Sequence, residues 1–229
     1  PFPADHFAST ATPLLRLNQR PWKIFYRGLT PKPLRNKINA YASRKQMYHT
    51  AELWRSFLQA YFQGQLPRFN LQAKQDLRGQ KIIWQYWGQG LEPEQLPEMV
   101  RLCFRSVEQN LGDYRLIRLD DQTLHHYLDL PDFVQAKRQN PEFKPAFFAD
   151  LLRLALLDVY GGVWLDASIL LTAPLPKEWA QTDFFMYQRS PKAAHQDFWQ
   201  GFNADVFNWS PNHPVQVNNC IIAANLAIC

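Results

Sequence analysis

Apolar and polar positions change period several times along the chain, and each change marks an expected element. From about Leu34 to Gln63, Tyr48, Leu53, Phe57, Leu58 and Tyr61 recur at helical spacing among Arg, Lys and Gln, which predicts a long helix with one apolar face. Gly, Pro and polar residues between Gly64 and Lys81 interrupt that pattern and place a boundary between an N-terminal helical region, 1–78, and a main domain, 79–229. Lys81 to Trp87 then reads as a short buried strand ending in a Gly-containing loop. A helix follows through Met99, Leu102, Cys103, Val107 and Leu111, with Gly112 as its stop. Tyr114 to Leu119 is a second strand, and Asp120 and Asp121 open another short helical stretch. This alternation of strand and helix predicts an α/β domain with a mostly parallel sheet, whose ligands sit at the carboxyl ends of the strands.

The second half of the domain is more apolar. Pro145 stands near the start of a helix that Gly161 and Gly162 end, and Asp150, Arg153 and Asp158 are the charges inside it. A helix so apolar is buried on most sides. A strand is expected from Val163 until Pro174 and Pro176 stop it, with further strands at Phe184 to Gln188 and Val217 to Ala224.

Asp150 and Arg153 stand three apart, so on a helix they are neighbours, and in an apolar helix such a pair needs partners. Either it is a local ion pair that satisfies itself or it faces a ligand. In the strand, Trp164, Asp166 and Ser168 share one face at a period of two. The Asp166 carboxylate suits a divalent cation that also holds a diphosphate, since hard cations take one or two carboxylates and fill the rest of their shell with phosphate and water. The plainer alternative is an Asp that caps a turn at the strand end. His125, His126 and His195 lack metal-ligand spacing and read as surface or capping residues.

Composition bounds the setting. The 229 residues, 46% apolar and 14% aromatic, can bury one substantial core and a small second unit. A net charge of +5 hides an asymmetry, because residues 1–80 carry 13 Lys and Arg against 3 Asp and Glu. With aromatics interleaved from Arg20 to Gly28, residues 1–80 suit peripheral contact with an anionic membrane, and the bland alternative is a solvated helical surface. Nucleic acid is not expected as a partner, because no DNA or RNA motif accompanies the charge. Cys103, Cys220 and Cys229 have no short spacing, so neither a zinc site nor a disulfide framework is suggested, which fits reduced thiols in a cytoplasm; with the basic front, the expected place is cytoplasmic, peripheral on the inner face of the cytoplasmic membrane. No apolar run is long enough for a membrane span. Pro1 and Cys229 suggest a piece of a longer chain.

The run ADLLRLALLDVYGGVWLDAS, Ala149 to Ser168, resembles the D-x-x-R helix, Gly-Gly turn and D-x-D-type strand of the capsular polysaccharide synthesis proteins of bacteria. These are similar to the initiation-type mannosyltransferases of yeast and the glucosylating clostridial toxins. KIIWQYWGQG, Lys81 to Gly90, is similar to the strand that opens the same domain, and VNNCIIAA, Val217 to Ala224, to a later strand. The resemblance spans roughly residues 79 to 225, within the domain bounds given above. It implies a glycosyltransferase A fold, a single Rossmann-like sheet, here with an N-terminal helical extension.

It also implies roles. Trp87 matches the aromatic that stacks on the nucleotide base, although a tryptophan there also suits a core. Asp150 and Arg153 match the pair that holds donor sugar hydroxyls or the neighbouring phosphate, and Asp166 the first Asp of the D-x-D element, with Arg153 and Asp166 as the catalytic pair. Ser168 replaces the usual second Asp and joins Asp166 as a weaker metal ligand, and Asn219 contacts donor or acceptor. The implied activity is metal-assisted, retaining transfer of a hexose from a nucleoside diphosphate sugar, a UDP-sugar first among them, to a glycan or lipid-linked glycan acceptor, with Mn²⁺ or Mg²⁺ as cofactor. Two other readings stay open: a non-catalytic glycosyltransferase-like binding protein, and a membrane or nucleic-acid adaptor acting through the basic front.

Overall fold

A computed structural model describes residues 16–17, 19–67, 69–140, 143–203, 207, 209 and 217–225. Cys229 and the first fifteen residues of the basic front lie outside them. The described elements are α1 (Trp22–Leu29), α2 (Lys32–Phe62), β1 (Ile82–Tyr86), α3 (Glu98–Gln109), β2 (Arg115–Leu119), α4 (Asp132–Arg138), α5 (Pro145–Tyr160), β3 (Gly162–Leu165), β4 (Phe184–Gln188), α6 (Gln196–Phe202) and β5 (Val217–Ala224). Short 3₁₀ turns occupy Leu124–His126 and Lys177–Gln181.

One five-stranded sheet runs in the order β2-β1-β3-β5-β4. β1 pairs in parallel with both β2 and β3, whereas β5 pairs antiparallel with β3 and β4. The expectation of a mostly parallel sheet is corrected to a mixed one, since β5 enters beside β3 from the opposite end. β1 is buried along its whole length because both faces are covered. Ile82, Trp84 and Tyr86 pack in the cluster that holds Leu152, Leu156 and Tyr160 of α5. Ile83, on the alternate face, packs with Val107 of α3 and Trp179. The mixed α/β sheet with its covering helices is the Rossmann-like, glycosyltransferase A type of fold.

The junction from α5 to β3 is close. Gly162 sits at φ +98°, and a Cβ added there would stand 2.6 Å from the Ile82 carbonyl oxygen, so this position accepts glycine alone without strain. Trp84 Nε1 donates to the carbonyl of Gly161 at 2.9 Å and ties the same turn to β1. Trp84 is therefore a core residue, fully buried.

Contacts divide the chain after Phe69, earlier than the boundary read from the turn residues. Residues 70–78 join the second unit because the Lys74 and Gln75 amides donate to the Tyr160 hydroxyl, at 2.9 and 3.2 Å, and Leu77 is buried in the sheet core. In the first unit the Tyr26 hydroxyl of α1 donates to Asn39 Oδ1 of α2 at 3.1 Å. The apolar positions read on α2 are left largely uncovered: Leu53 is buried, but Tyr48, Leu58 and Tyr61 are exposed.

Candidate active site

A cleft of about 420 Å³ opens at the carboxyl ends of β1 and β3. This is where the strand order reverses, with β2 on one side of β1 and β3 on the other, the usual ligand position in an open α/β sheet. Trp87, Asp150, Arg153, Asp166, Ser168 and Asn219 all line it, joined by Tyr86, Gly88, Gln89 and Trp164.

Chain geometry explains why the helix pair meets the strand carboxylate. Arg153 precedes Gly161 by eight residues, about 12 Å of helix at about 1.5 Å per residue. Asp166 follows Gly162 by four residues, about 13 Å of extended chain at about 3.3 Å per residue. With the two glycines folding α5 back along β3, both side chains arrive at the same height.

There Arg153 acts as a hub. Its side chain is only 5% exposed, and Nη2 lies 3.0 Å from Asp150 Oδ1 and 3.1 Å from Asp166 Oδ1. Nη1 donates to the Asn219 carbonyl and Nε to the Ala149 carbonyl at 3.4 Å, so every nitrogen of the guanidinium has an acceptor. Asn219 Nδ2 donates to Asp150 Oδ1 at 2.9 Å, and Trp164 Nε1 to Asp166 Oδ1 at 2.6 Å. The guanidinium carbon also stands 5.3 Å from the Trp164 ring centroid. The pair read from the helix is thus both a local ion pair and part of a cleft.

Asp166 departs from expectation in one respect. β3 ends at Leu165, and the expected strand through Ser168 is replaced by a turn in which the Ile169 amide donates to the Asp166 carbonyl at 3.0 Å. The Asp166 amide continues the ladder to the Cys220 carbonyl at 2.9 Å, so the residue stands at the strand end, with its backbone in the turn and its carboxylate on Arg153 and Trp164. Ser168 is exposed in the turn. Among the described residues, no group of three or more His, Cys, Asp or Glu side chains is placed to hold a metal ion.

Trp87 forms the far wall. Its amide donates to the Leu119 carbonyl at 2.9 Å, and its half-buried ring packs against Val100, Phe104 and Ala167 while also lining the cleft. The ring thus has a packed side against this cluster and a side toward the cleft.

Tyr86 and Arg138 escaped the sequence reading. The Tyr86 hydroxyl donates to Asp121 Oδ1, and Arg138 Nη2 meets Asp121 Oδ2 at 2.6 Å. Burial, then the Asp121 hydrogen bond and charge, push the Tyr86 phenol well above its ordinary value. Asp120 opens no regular helix: Oδ1 accepts from the Gln122 and Thr123 amides at 3.0 and 2.8 Å and caps a turn. Burial opposes its ionisation, but the Thr123 hydroxyl and these amides hold its carboxyl below the usual range. Cys220, half-buried beside Asp166, has its thiol pushed up to about 11, by burial first and then by the Asp166 charge. His125 and His126 are exposed, and His195 precedes α6 in a left-handed conformation, so none joins the cleft.

Fold and cleft together define a Rossmann-like α/β protein with a polar site at the sheet switch point. The family model for capsular polysaccharide synthesis proteins matches residues 34–220, and the chain belongs to that family. It is also similar to the O-glycosyltransferase braB of Annulohypoxylon truncatum, 28% identical over 110 residues that cover 44% of this chain. The matched part is 26% of that relative, so the chain spans about a quarter of its length. No solved structure matches.

Proposed function

We propose that this chain carries the donor site of a glycosyltransferase that moves a hexose from a nucleoside diphosphate sugar, with UDP the first candidate, to a hydroxyl of a glycan or lipid-linked glycan. The observation that carries this reading is the joining of Asp150, Arg153, Asp166 and Asn219 into one hydrogen-bonded group, with Trp87 lining the same cleft. Family membership and the similarity to an O-glycosyltransferase support it.

The chemistry separates charge. The bond between the anomeric carbon and the diphosphate breaks, a bond to the acceptor oxygen forms, and the acceptor proton leaves with the diphosphate. Arg153, preorganised by four acceptors, supplies fixed positive charge near the leaving group and needs no reorganisation as negative charge develops. Asp150 and Asn219 have oxygens and an amide for sugar hydroxyls, and Trp87 offers a ring face for the base.

Asp166 and Ser168 are the residues that would hold Mn²⁺ or Mg²⁺. One carboxylate and one hydroxyl are too few for an all-protein cage but fit a cation that takes its other ligands from a diphosphate and water. Bound there, the cation would supply Lewis-acid stabilisation of the leaving diphosphate. Retention of anomeric configuration belongs to this proposal as the family resemblance implies it.

A donor-hydrolysis screen over several nucleotide sugars, with titration of UDP in the presence and absence of Mn²⁺, tests the reading. Turnover with one donor that collapses in Asp166→Asn is the expected result. Metal-independent or absent UDP binding would instead favour a non-catalytic binding protein, and turnover indifferent to Asp166→Asn would remove the metal role.

A further inference from the structure

Charge is divided unevenly between the two units. Residues 1–69 carry 11 Lys and Arg against 2 Asp and Glu, whereas residues 70–229 carry 14 against 18. The cations of the first unit therefore serve something other than balance within it.

In α1 these cations flank an uncovered apolar face. Tyr26 is buried, and its hydroxyl bonds to Asn39 turn one side of α1 toward α2. Trp22, Phe25 and Leu29, spaced i, i+3 and i+7, share another side and are 60%, 63% and 82% exposed. Such a stripe normally seals a helix onto a core, and here nothing among the described residues covers it. Lys23 and Arg27 lie one turn apart on the same helix, which contains no acidic residue. On α2, Leu34, Tyr41 and Tyr48 repeat the arrangement at intervals of seven, exposed, with Lys37, Arg44 and Lys45 close in sequence.

A heptad stripe also suits another helix, and so a second copy of this chain. Charge decides against that occupant, because two units each bearing an excess of nine cations would repel. A nucleic acid would take the cations but leave large apolar side chains in water. An anionic bilayer accepts both, apolar side chains at the acyl boundary and cations among the headgroups.

We propose that α1 and the first half of α2 form a peripheral docking surface for an anionic phospholipid membrane. No helix among the described residues is long and apolar enough to cross one, so attachment is by lying on the surface. It is salt-sensitive and reversible. It is also independent of the donor-site reading, since it uses none of the cleft residues.

Co-sedimentation of the full chain with vesicles tests it, using phosphatidylcholine alone or mixed with phosphatidylglycerol, at low and high salt. Binding is expected to the mixed vesicles, to weaken as salt rises, and to be weak on phosphatidylcholine alone. The double variant Lys23→Gln, Arg27→Gln is expected to lower partition about 25-fold, at about fivefold per cation removed. Phe25→Ser with Leu29→Ser, whose side chains face solvent, lowers it comparably while the circular dichroism spectrum is kept. Equal binding to both vesicle types, no loss in either double variant, concentration-dependent dimerisation by light scattering that the Phe25→Ser, Leu29→Ser variant abolishes, or displacement from vesicles by RNA at equal charge would each overturn the proposal.

Discussion

Two aspartate–arginine couples flank β1, one lining the cleft and one a neighbouring cavity, and their chemistry is nearly the same while their settings differ. In each, an aromatic side chain donates to the carboxylate: Trp164 to Asp166, and Tyr86 to Asp121. In each, the guanidinium lies over an aromatic ring, Arg153 over Trp164 and Arg138 over Phe148. Arg153 has an acceptor for every nitrogen, whereas Arg138 Nε is buried without one. The first couple is a completed network whose members face the cleft. The second stands behind the cleft wall, where Tyr86 is its link to the lining. Similar pairs thus differ in completeness of hydrogen bonding and in the cavity they face: the satisfied one presents fixed charge to the cleft, and the other ties Tyr86 at the end of β1 to α4.

The sharpest way to break this contrast is to remove each arginine. Arg153→Met is expected to lower donor turnover about 100- to 1,000-fold, as loss of one preorganised charged donor does. It also leaves two carboxylates without their cation, at a cost of about 3 kcal/mol in denaturant unfolding. Arg138→Met is expected to cost about 1 kcal/mol, because Asp121 is well exposed, with turnover within about tenfold of wild type. Equal losses in the two variants would erase the distinction.

The aromatic donors refine it. Trp87→Ala is expected to weaken UDP binding by about 1–3 kcal/mol in titration calorimetry, which separates its stacking role from its packing role. Tyr86→Phe removes one hydrogen bond to a carboxylate that keeps Arg138, so about 1 kcal/mol of stability is expected to go while turnover stays near wild type.

The smallest effect reads out Asp166 without substrate. Cys220 is expected to react with iodoacetamide only as pH rises toward about 11, and Asp166→Asn should move that profile to lower pH. The folded thiol lies above its ordinary 9.0, so its share of stability is complete below that value and is lost as pH climbs from 9.0 toward about 11. A profile unmoved by the substitution would mean that burial alone raises the thiol.

What could be read beforehand followed the range of the interactions. Pro145 and the two glycines bracket α5 because start and stop signals are local. Phe184–Gln188 and Val217–Ala224 are the strands that their apolar runs suggested. Trp164 and Asp166 were placed on one face by the period of two, though the hydrogen bond between them was not anticipated. Where β3 stops was not readable, because the turn at Asp166 is closed by Ile169 and by side chains from α5. The Arg138 couple was equally hidden, since α4 reaches Asp121 only through the tertiary fold. On α2 the helix itself was readable from the spacing, but the exposed Tyr48 and Tyr61 show that spacing alone does not say what covers a face.

The glycine junction between α5 and β3 makes residue count itself a functional variable. Insertion of a single amino acid into the Val163–Leu165 stretch would swing the Asp166 carboxylate to the opposite side of the sheet, away from Arg153, although every side chain in the motif survived. Relatives that preserve the letters but alter this interval would thus be expected to keep the fold and lose the grip on donor, which makes the gap as informative as the residues it separates.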